Sequence, residues 1–474
     1  PILFFIYCFC GKVTSVSGGR CNYQKNYYPS QNQSNPFHPN HENFLKVQLK
    51  TYKNSTQLPI FKKNPNVNLK KIAASIGPGP LITAAFIGPG TVTVCTLAGI
   101  QYDYTLLWSL VLSIVATIFL QELSGKIGIL TRMDLSQLVR NSTGSKIRKL
   151  LVMGLILTAI GIGNAAYQSG NITGTYLGIG IFLDLPTWKF GPIYLQSGNL
   201  IVGLLAGILL WSGNYKSLER ILVGLVIFMS VAFLIAAALT KPNLSDLLHG
   251  FVPTFSTEKL PTLVALIGTT VVPYNLFLYA SLVQKQWTSE QDLPKMRKDL
   301  WISIVLGGLV SMAILVAGVA NPVTELETAQ DIAKGLTGIF GDFGTYLMGF
   351  GLFAAGLTSS LTAPLAAGRV ICAILGWNQN IQSTSMRASM GLILFLGILF
   401  SSLGIKPVTL ITLAQLANGI LLPLISGWLL WMSTRKDLLG THALGIKGIL
   451  FGLFIWAITL VLGIKSFGAA IGWF

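Results

Sequence analysis

The sequence predicts an all-α polytopic membrane protein of about eleven transmembrane helices, arranged as an inverted five-plus-five repeat with one helix to follow. Three observations predict it. Of 474 residues, 52% are hydrophobic and only 10% charged, with a mean hydropathy of +0.64, a balance too apolar for a soluble globular chain. The charges fall between apolar runs long enough to cross a hydrocarbon core, which takes about 20 helical residues. Two of those runs are interrupted by proline at positions that correspond if the second five spans repeat the first five upside down.

In chain order, residues 1–69 read as a disordered or atypical tail, rich in Asn, Gln, Tyr, Pro, Ser and Lys between Asn22 and Asn66, and no fold is assigned to them. Residues 70–474 read as the transmembrane domain. Spans 1–5 lie near 76–101, 105–129, 149–180, 194–212 and 218–240, filling about 76–240. Spans 6–10 lie near 261–284, 300–320, 343–375, 386–404 and 407–433, filling about 261–433, and span 11 lies near 446–469. Lys and Arg number seventeen in the loops and flanks after even-numbered spans and six after odd-numbered ones. That bias puts the N-terminus in the cytoplasm, and the expected location is the cell membrane. It also accounts for the formal charge of +17 without nucleic acid as a partner, since no basic patch interleaves with aromatics in a soluble domain.

Each half opens on a broken span. Span 1 holds "AAFIGPGTVTV" (84–94) inside a run from Ile72 to Tyr102 that has no charged residue. Pro89 removes a backbone donor and obstructs the preceding turn, while Gly88 and Gly90 permit angles that free carbonyls from the helix. Span 6 holds "GTTVVPYN" (268–275), broken at Pro273. One membrane proline is ordinarily a kink. Two at matching places in inverted halves point to a secondary transporter with its site at the bilayer centre. Carbonyls freed in hydrocarbon are costly unless water or a ligand meets them, so the breaks imply a polar cavity.

Enzyme chemistry finds no support. The spans offer no Ser/His/Asp set, no paired carboxylates and no phosphate-cradling loop followed by Lys, and no cofactor is expected. Cys8, Cys10, Cys21, Cys95 and Cys372 lack zinc-type or paired spacing, and His38, His41, His249 and His442 fall in the tail or in loops. No histidine is therefore placed to relay protons within a span.

Five stretches carry a family likeness: "GPGPLITAAFIGPGTVTVCTLAG", "YTLLW" at 104–108, "LQELSGKIGILTRMDLSQLVR" at 120–140, "IGTTVVPYNLFLYASLV" at 267–283 and "STRKDLLG" at 433–440. On these motifs and their order the chain resembles the NRAMP family of divalent-metal transporters, from about Lys70 to Phe474. The resemblance implies a LeuT-type fold, with spans 1–5 and 6–10 as the inverted repeats. It also exposes departures. Where the family has Asp-Pro-Gly-Asn in span 1, with Asp and Asn as ion ligands, this chain has Gly88-Pro89-Gly90-Thr91. Where the family has Met-Pro-His in span 6, with an Ala carbonyl three residues before the Met, this chain has Val272-Pro273-Tyr274 and Thr269. The family's span 3 Asp and Glu match Asn164 and Tyr167, its second span 6 histidine matches Tyr279, and its span 10 glutamine matches Gln415.

The carboxylate and the soft sulfur that suit transition metals are both missing, and neutral oxygen remains. The candidate substrate-binding residues are Gly88, Thr91, Thr269, Val272, Tyr274, Asn275 and Gln415, around helix breaks at Pro89, Gly90 and Pro273. Of these, Gly88, Thr91, Thr269 and Gln415 are the candidate metal contacts through carbonyl, hydroxyl and amide oxygen. Such a set suits a hard or partly hydrated cation. Each residue also has a plainer reading. Gly88 and Gly90 serve equally as packing glycines, Thr91 as a hydroxyl bonded back to its own helix, and Gln415 as an interhelical tie worth about 0.6 kcal/mol. Tyr274 and Asn275 serve equally to satisfy backbone freed by Pro273, and Glu122 reads as a solvated interfacial partner of Lys126. The expectation is a cation carrier, divalent by resemblance, working by alternating access. The alternatives are a carrier of the same fold for a neutral or organic solute, and a membrane sensor that transports nothing.

Overall fold

The structure is a computed structural model that describes residues 77–141, 146–190, 193–213, 216–323 and 326–470, so the tail expected at 1–69 lies outside the described residues. All eleven expected spans correspond to helices. Span 1 is two helices, α1 (Gly79–Phe86) and α2 (Pro89–Tyr102), and span 2 is α3 (Leu107–Thr131). A short α4 (Leu135–Asn141) leads into α5 (Lys146–Ile179), followed by α6 (Ser197–Ser212) and α7 (Lys216–Leu239). After the one-and-a-half-turn α8 (Leu244–His249), span 6 is again split, into α9 (Leu260–Thr270) and α10 (Pro273–Gln286). Then come α11 (Leu293–Val319), the peripheral α12 (Ala329–Phe340), α13 (Asp342–Leu375), α14 (Thr384–Ser401) and α15 (Pro407–Ser433). The short α16 (Lys436–Leu439) and α17 (Ile446–Ala470) close the described chain.

Among the described residues, eight stretches are long and apolar enough to cross a membrane singly, one of them (Pro89–Thr131) taking in both α2 and α3. The bent α16–α17 pair makes a ninth. Span 4 is the short one: the 16 residues of α6 reach about 24 Å, less than a hydrocarbon core of about 30 Å. Span 7 starts at Leu293 rather than near 300. Leu293, Met296 and Leu300 recur at helical spacing on the buried face, while Lys295, Arg297 and Lys298 point outward, so charge at the membrane edge does not end the helix.

The span reading passed over the small elements between helices. Thr187–Phe190 pairs antiparallel with Ile193–Gln196, strands of four residues each and too short to show a clear alternation. α12 begins with a reciprocal cap: Asp331 N–H donates to Thr328 Oγ1 (3.2 Å) and Thr328 N–H donates to the Asp331 carboxylate (3.0 Å). At the α3–α4 turn the buried Asp134 accepts from Gln137 N–H (2.8 Å). Burial pushes its carboxyl above the usual range, against the pull of that bond and of Arg369. A carboxyl raised in the folded state costs stability as pH climbs past the unfolded value near 4. Asp134→Asn, which keeps an acceptor for the cap, is therefore expected to leave the unfolding temperature at neutral pH unchanged or higher and to flatten its decline as pH rises above about 4.

Glu122 has partners beyond the one expected. Arg297 Nε donates to it at 2.8 Å and Trp301 Nε1 at 3.3 Å, so the carboxylate ties α3 to α11 while its charge also acts on Lys126 one turn along its own helix.

The first half-helix of each repeat is fastened by the other repeat's neighbouring turn. At the start of α1, Gly77 N–H and Gly79 N–H donate to the two oxygens of Asp299 on α11, at 3.0 and 2.8 Å. A carboxylate at a helix N-terminus satisfies orphan donors and complements the dipole. At the start of α9, Lys259 Nζ donates to Thr105 Oγ1 (3.1 Å) and Tyr102 Oη donates to the Glu258 carbonyl (2.9 Å). Hydrogen bonds to charged groups contribute about 1.5–3 kcal/mol each before solvent screening. Asp299→Ala is thus expected to speed alkylation of a Ser303→Cys reporter, whose native hydroxyl lies beneath Gly79, by about tenfold over the same reporter with Asp299 intact.

Candidate functional site

The two breaks share one backbone course. α1 ends with Ile87 at φ −78°, ψ 67°, its N–H donating to Thr83 O, and Gly88 then runs extended (φ −104°, ψ −176°) into Pro89. α9 ends with Val271 at φ −93°, ψ 76°, its N–H donating to Ile267 O, and Val272 runs extended (φ −85°, ψ 121°) into Pro273. Neither α2 nor α10 has a side-chain cap from its leading residue. Each break thus presents a carbonyl-rich helix end and an N–H-rich helix start. Both lie deep inside the bundle, where Gly88, Pro89, Gly90 and the whole of Thr269–Ala280 are buried.

Three further helices close around them. On α15, Gln415 presses against Gly90 so tightly that a Cβ there would lie 2.2 Å from the amide nitrogen, and its backbone carbonyl would lie 2.0 Å from a Cβ on Gly268 of α9. On α5, Tyr167 stacks obliquely with Tyr274 of α10, ring centroids 5.6 Å apart. On α13, the Ser359 hydroxyl faces Gly88: a Cβ on Gly88 would lie 3.1 Å from Ser359 Oγ and 3.7 Å from Tyr167 Oη. Gly88, Gly90, Tyr274 and Gln415 are thereby brought together.

Thr91, Thr269, Val272 and Asn275 are each about 1% exposed on the same broken helices. The Thr269 hydroxyl is taken up by Leu266 O (2.7 Å), which leaves its carbonyl, at the open end of α9, as the group it offers. Tyr279 is fully buried but sits two turns beyond the break, against Gly125 of α3, so it belongs to the α3–α10 contact and not to the site. Asn164 donates to Ile160 O (2.8 Å), one turn before Tyr167 on α5.

Buried polar atoms gather here: the hydroxyls of Tyr274 and Ser359 meet that of Tyr167, while both side-chain atoms of Asn275, Gln415 Oε1 and Asn164 Oδ1 have no hydrogen-bond partner, as is also true of Gln121, Asn199 and Tyr279 elsewhere in the bundle. Buried polar groups are ordinarily paired, so unpartnered ones beside open helix ends are places where water or a ligand can bond. Sequence reasoning missed Ser359 and Ser360. Their only signal was the polar patch "TSS" within span 8, and serine in a membrane helix ordinarily bonds back to its own backbone. Among the described residues, no three His, Cys, Asp or Glu side chains gather where a metal would bind.

A helical membrane bundle whose two halves each open on a helix broken at the same turn, around a shared polar centre, is the architecture of an inverted-repeat carrier. This chain is an integral, multi-pass membrane protein of that build. The model of the Nramp family, described as natural resistance-associated macrophage protein-like, matches residues 79–468, and the chain belongs to that family. It is 28% identical over 421 residues to the divalent metal cation transporter MntH of Ralstonia nicotianae, covering 84% of this chain and 90% of that one. It is also 28% identical over 394 residues to MntH 1 of Pseudomonas aeruginosa, covering 78% and 86%. A manganese transporter of Eremococcus coleocola shares the fold with TM-score 0.69 at 18% identity, over 89% of this chain and 90% of that one. Mhp1, a nucleobase-cation-symport-1 family transporter, shares it more loosely, with TM-score 0.51 at 13% identity over 84% and 93%.

Proposed function

We propose that the chain is a secondary transporter that moves a metal cation across the membrane by alternating access around the α1/α2 and α9/α10 breaks. The observation that carries this reading is the pair of matched helix breaks, buried among the polar side chains of Asn275, Gln415, Tyr167, Tyr274 and Ser359. Divalent metal enters through the relatives, which are named for it. The donor set of this chain is neutral, so a divalent ion at the breaks keeps part of its water shell, because stripping it uncompensated in low dielectric is too costly. Asn164 and Tyr167 do not titrate near neutral pH, which supports transport without proton coupling. The basic loops after even-numbered spans support an N-terminus in the cytoplasm.

Flux of Mn²⁺, Mg²⁺ and Ca²⁺ into proteoliposomes, with and without a pH gradient, tests the reading. Saturable flux of at least one ion is expected, changed less than about twofold by the gradient. No flux of any metal cation defeats the proposal. Stabilisation by an amino-acid or nucleobase panel, with no cation effect, favours instead a solute carrier that uses the unpartnered Asn275 amide donor.

A further inference from the structure

The connection between α7 and α9 has the composition of a membrane surface, not of a water-facing loop. From 244 to 255 it reads "LSDLLHGFVPTF", with Leu244, Leu247, Leu248, Phe251, Val252 and Phe255 at the spacing of one helical face and Ser245, Asp246 and His249 between them. The backbone follows that spacing past the end of α8: Phe251 N–H donates to Leu248 O (3.1 Å) and Val252 N–H to His249 O (3.0 Å). Leu247 packs on the core. The other five apolar side chains are between 41% and 72% exposed, a dense patch that water would penalise. The connection between α13 and α14 shows the contrast, since "GWNQNIQS" (376–383) is mostly polar.

Contacts fix the height of this segment. Trp108 N–H donates to Gly250 O (2.9 Å), a Cβ on Gly250 would lie 2.3 Å from Tyr104 O, and the Phe255 ring meets Trp108 edge-on with centroids 5.0 Å apart. The segment therefore lies beside the start of α3, where spans 2, 5 and 6 all begin or end. Tyr102, Tyr104 and Trp108 share that level, and such rings collect at membrane–water boundaries. The patch also continues a surface that meets lipid already: Ile221, Phe228, Ile235 and Leu239 are the exposed apolar residues along α7, which leads into it. Charge gives lipid headgroups no net pull, since Lys241 and Lys259 are balanced by Asp246 and Glu258.

We propose that residues 244–255 lie in the membrane interface, with Leu244, Leu248, Phe251, Val252 and Phe255 inserted among lipid chains just below the headgroups. The partner is the bilayer itself, held by apolar insertion and not by charge. α9 begins at Leu260, five residues after Phe255, so the lipid surface bears on the half-helix that leads to the second break.

The test places a nitroxide on Leu248→Cys or Val252→Cys, with Asp246→Cys as the polar-face comparison, in the full chain in phosphatidylcholine nanodiscs. Cys8, Cys10 and Cys21 are replaced by serine, while Cys95 and Cys372 are buried and stay. Collisions with a neutral, water-soluble nickel chelate are expected to be about tenfold rarer at 248 and 252 than at 246, and collisions with oxygen more frequent, as at a depth of about 5–10 Å. Neither added phosphatidylglycerol nor 1 M KCl is expected to change that ratio. Hydroxyl-radical footprinting of the unaltered chain in the same discs gives an independent reading: Phe251 and Phe255 are protected while the neighbouring His249 is oxidised. Equal nickel access at 246, 248 and 252, or oxidation of both phenylalanines, places the segment in water and overturns the proposal. A ratio that collapses in high salt overturns apolar insertion as its cause. Shielding from oxygen and nickel alike in discs that hold two copies, lost in discs that hold one, makes the patch a contact between copies and overturns the lipid assignment.

Discussion

Gly88→Asp is expected to tighten Mn²⁺ binding to the purified protein by at least about tenfold, or 1.4 kcal/mol, in titration calorimetry. It places a formal negative charge among helices α1, α2, α5, α9, α10 and α15, which contain no Asp or Glu. The backbone accepts it: φ −104° and ψ −176° are ordinary extended angles for any side chain. The new Cβ would meet Ser359 Oγ at 3.1 Å, a contact relieved by a shift of a few tenths of an ångström in a small hydroxyl side chain. The carboxylate then projects between Ser359 and Tyr167, toward the unpartnered oxygens. Unchanged Mn²⁺ affinity in a variant that unfolds at the wild-type temperature would show that the centre does not receive cations, and the transport reading would lose its main support.

The second large effect is a loss. Gly268→Ala is expected to destabilise the protein by about 1–3 kcal/mol, read as a lower unfolding temperature, and to abolish flux. The added methyl would sit 2.0 Å from the Gln415 backbone oxygen, and backbone cannot step aside as a side-chain tip can. α9 must then part from α15, which carries Gln415 off Gly90 and opens the break. Gly161→Ala on α5 is the control: nothing lies within 4 Å of its Cβ position, and its helix propensity favours alanine, so no loss is expected.

The spans and both breaks were legible in sequence because each rests on a local signal. Apolar runs of membrane length announce helices, and Gly-Pro-Gly at 88–90 and Pro273 announce interruptions. Span order already set the interruptions against each other, and the paired angles of Ile87–Gly88 and Val271–Val272 show that they share one backbone course. Partners distant in sequence were not legible. Glu122 finds Arg297 from 175 positions away, and nothing in the α3 sequence distinguishes that from a bond to Lys126. The serines of α13 were hidden for a different reason. Their neighbours Thr358 and Thr362 do bond back to Ala354 O (2.7 Å) and Thr358 O (2.9 Å), and only coordinates show that Ser359 and Ser360 do not. The start of span 7 was misplaced by about two turns because charge marks the membrane edge, while helix continuity follows the buried Leu293, Met296 and Leu300.

The clasps on α1 and α9 are built alike but from unequal chemistry. One is a carboxylate gripping two backbone amides; the other is an ammonium on a hydroxyl beside a phenol on a carbonyl, at the rim where water competes. The two half-helices are therefore anchored unequally: salt and solvent act more on the bonds that hold α9 than on the carboxylate that holds α1.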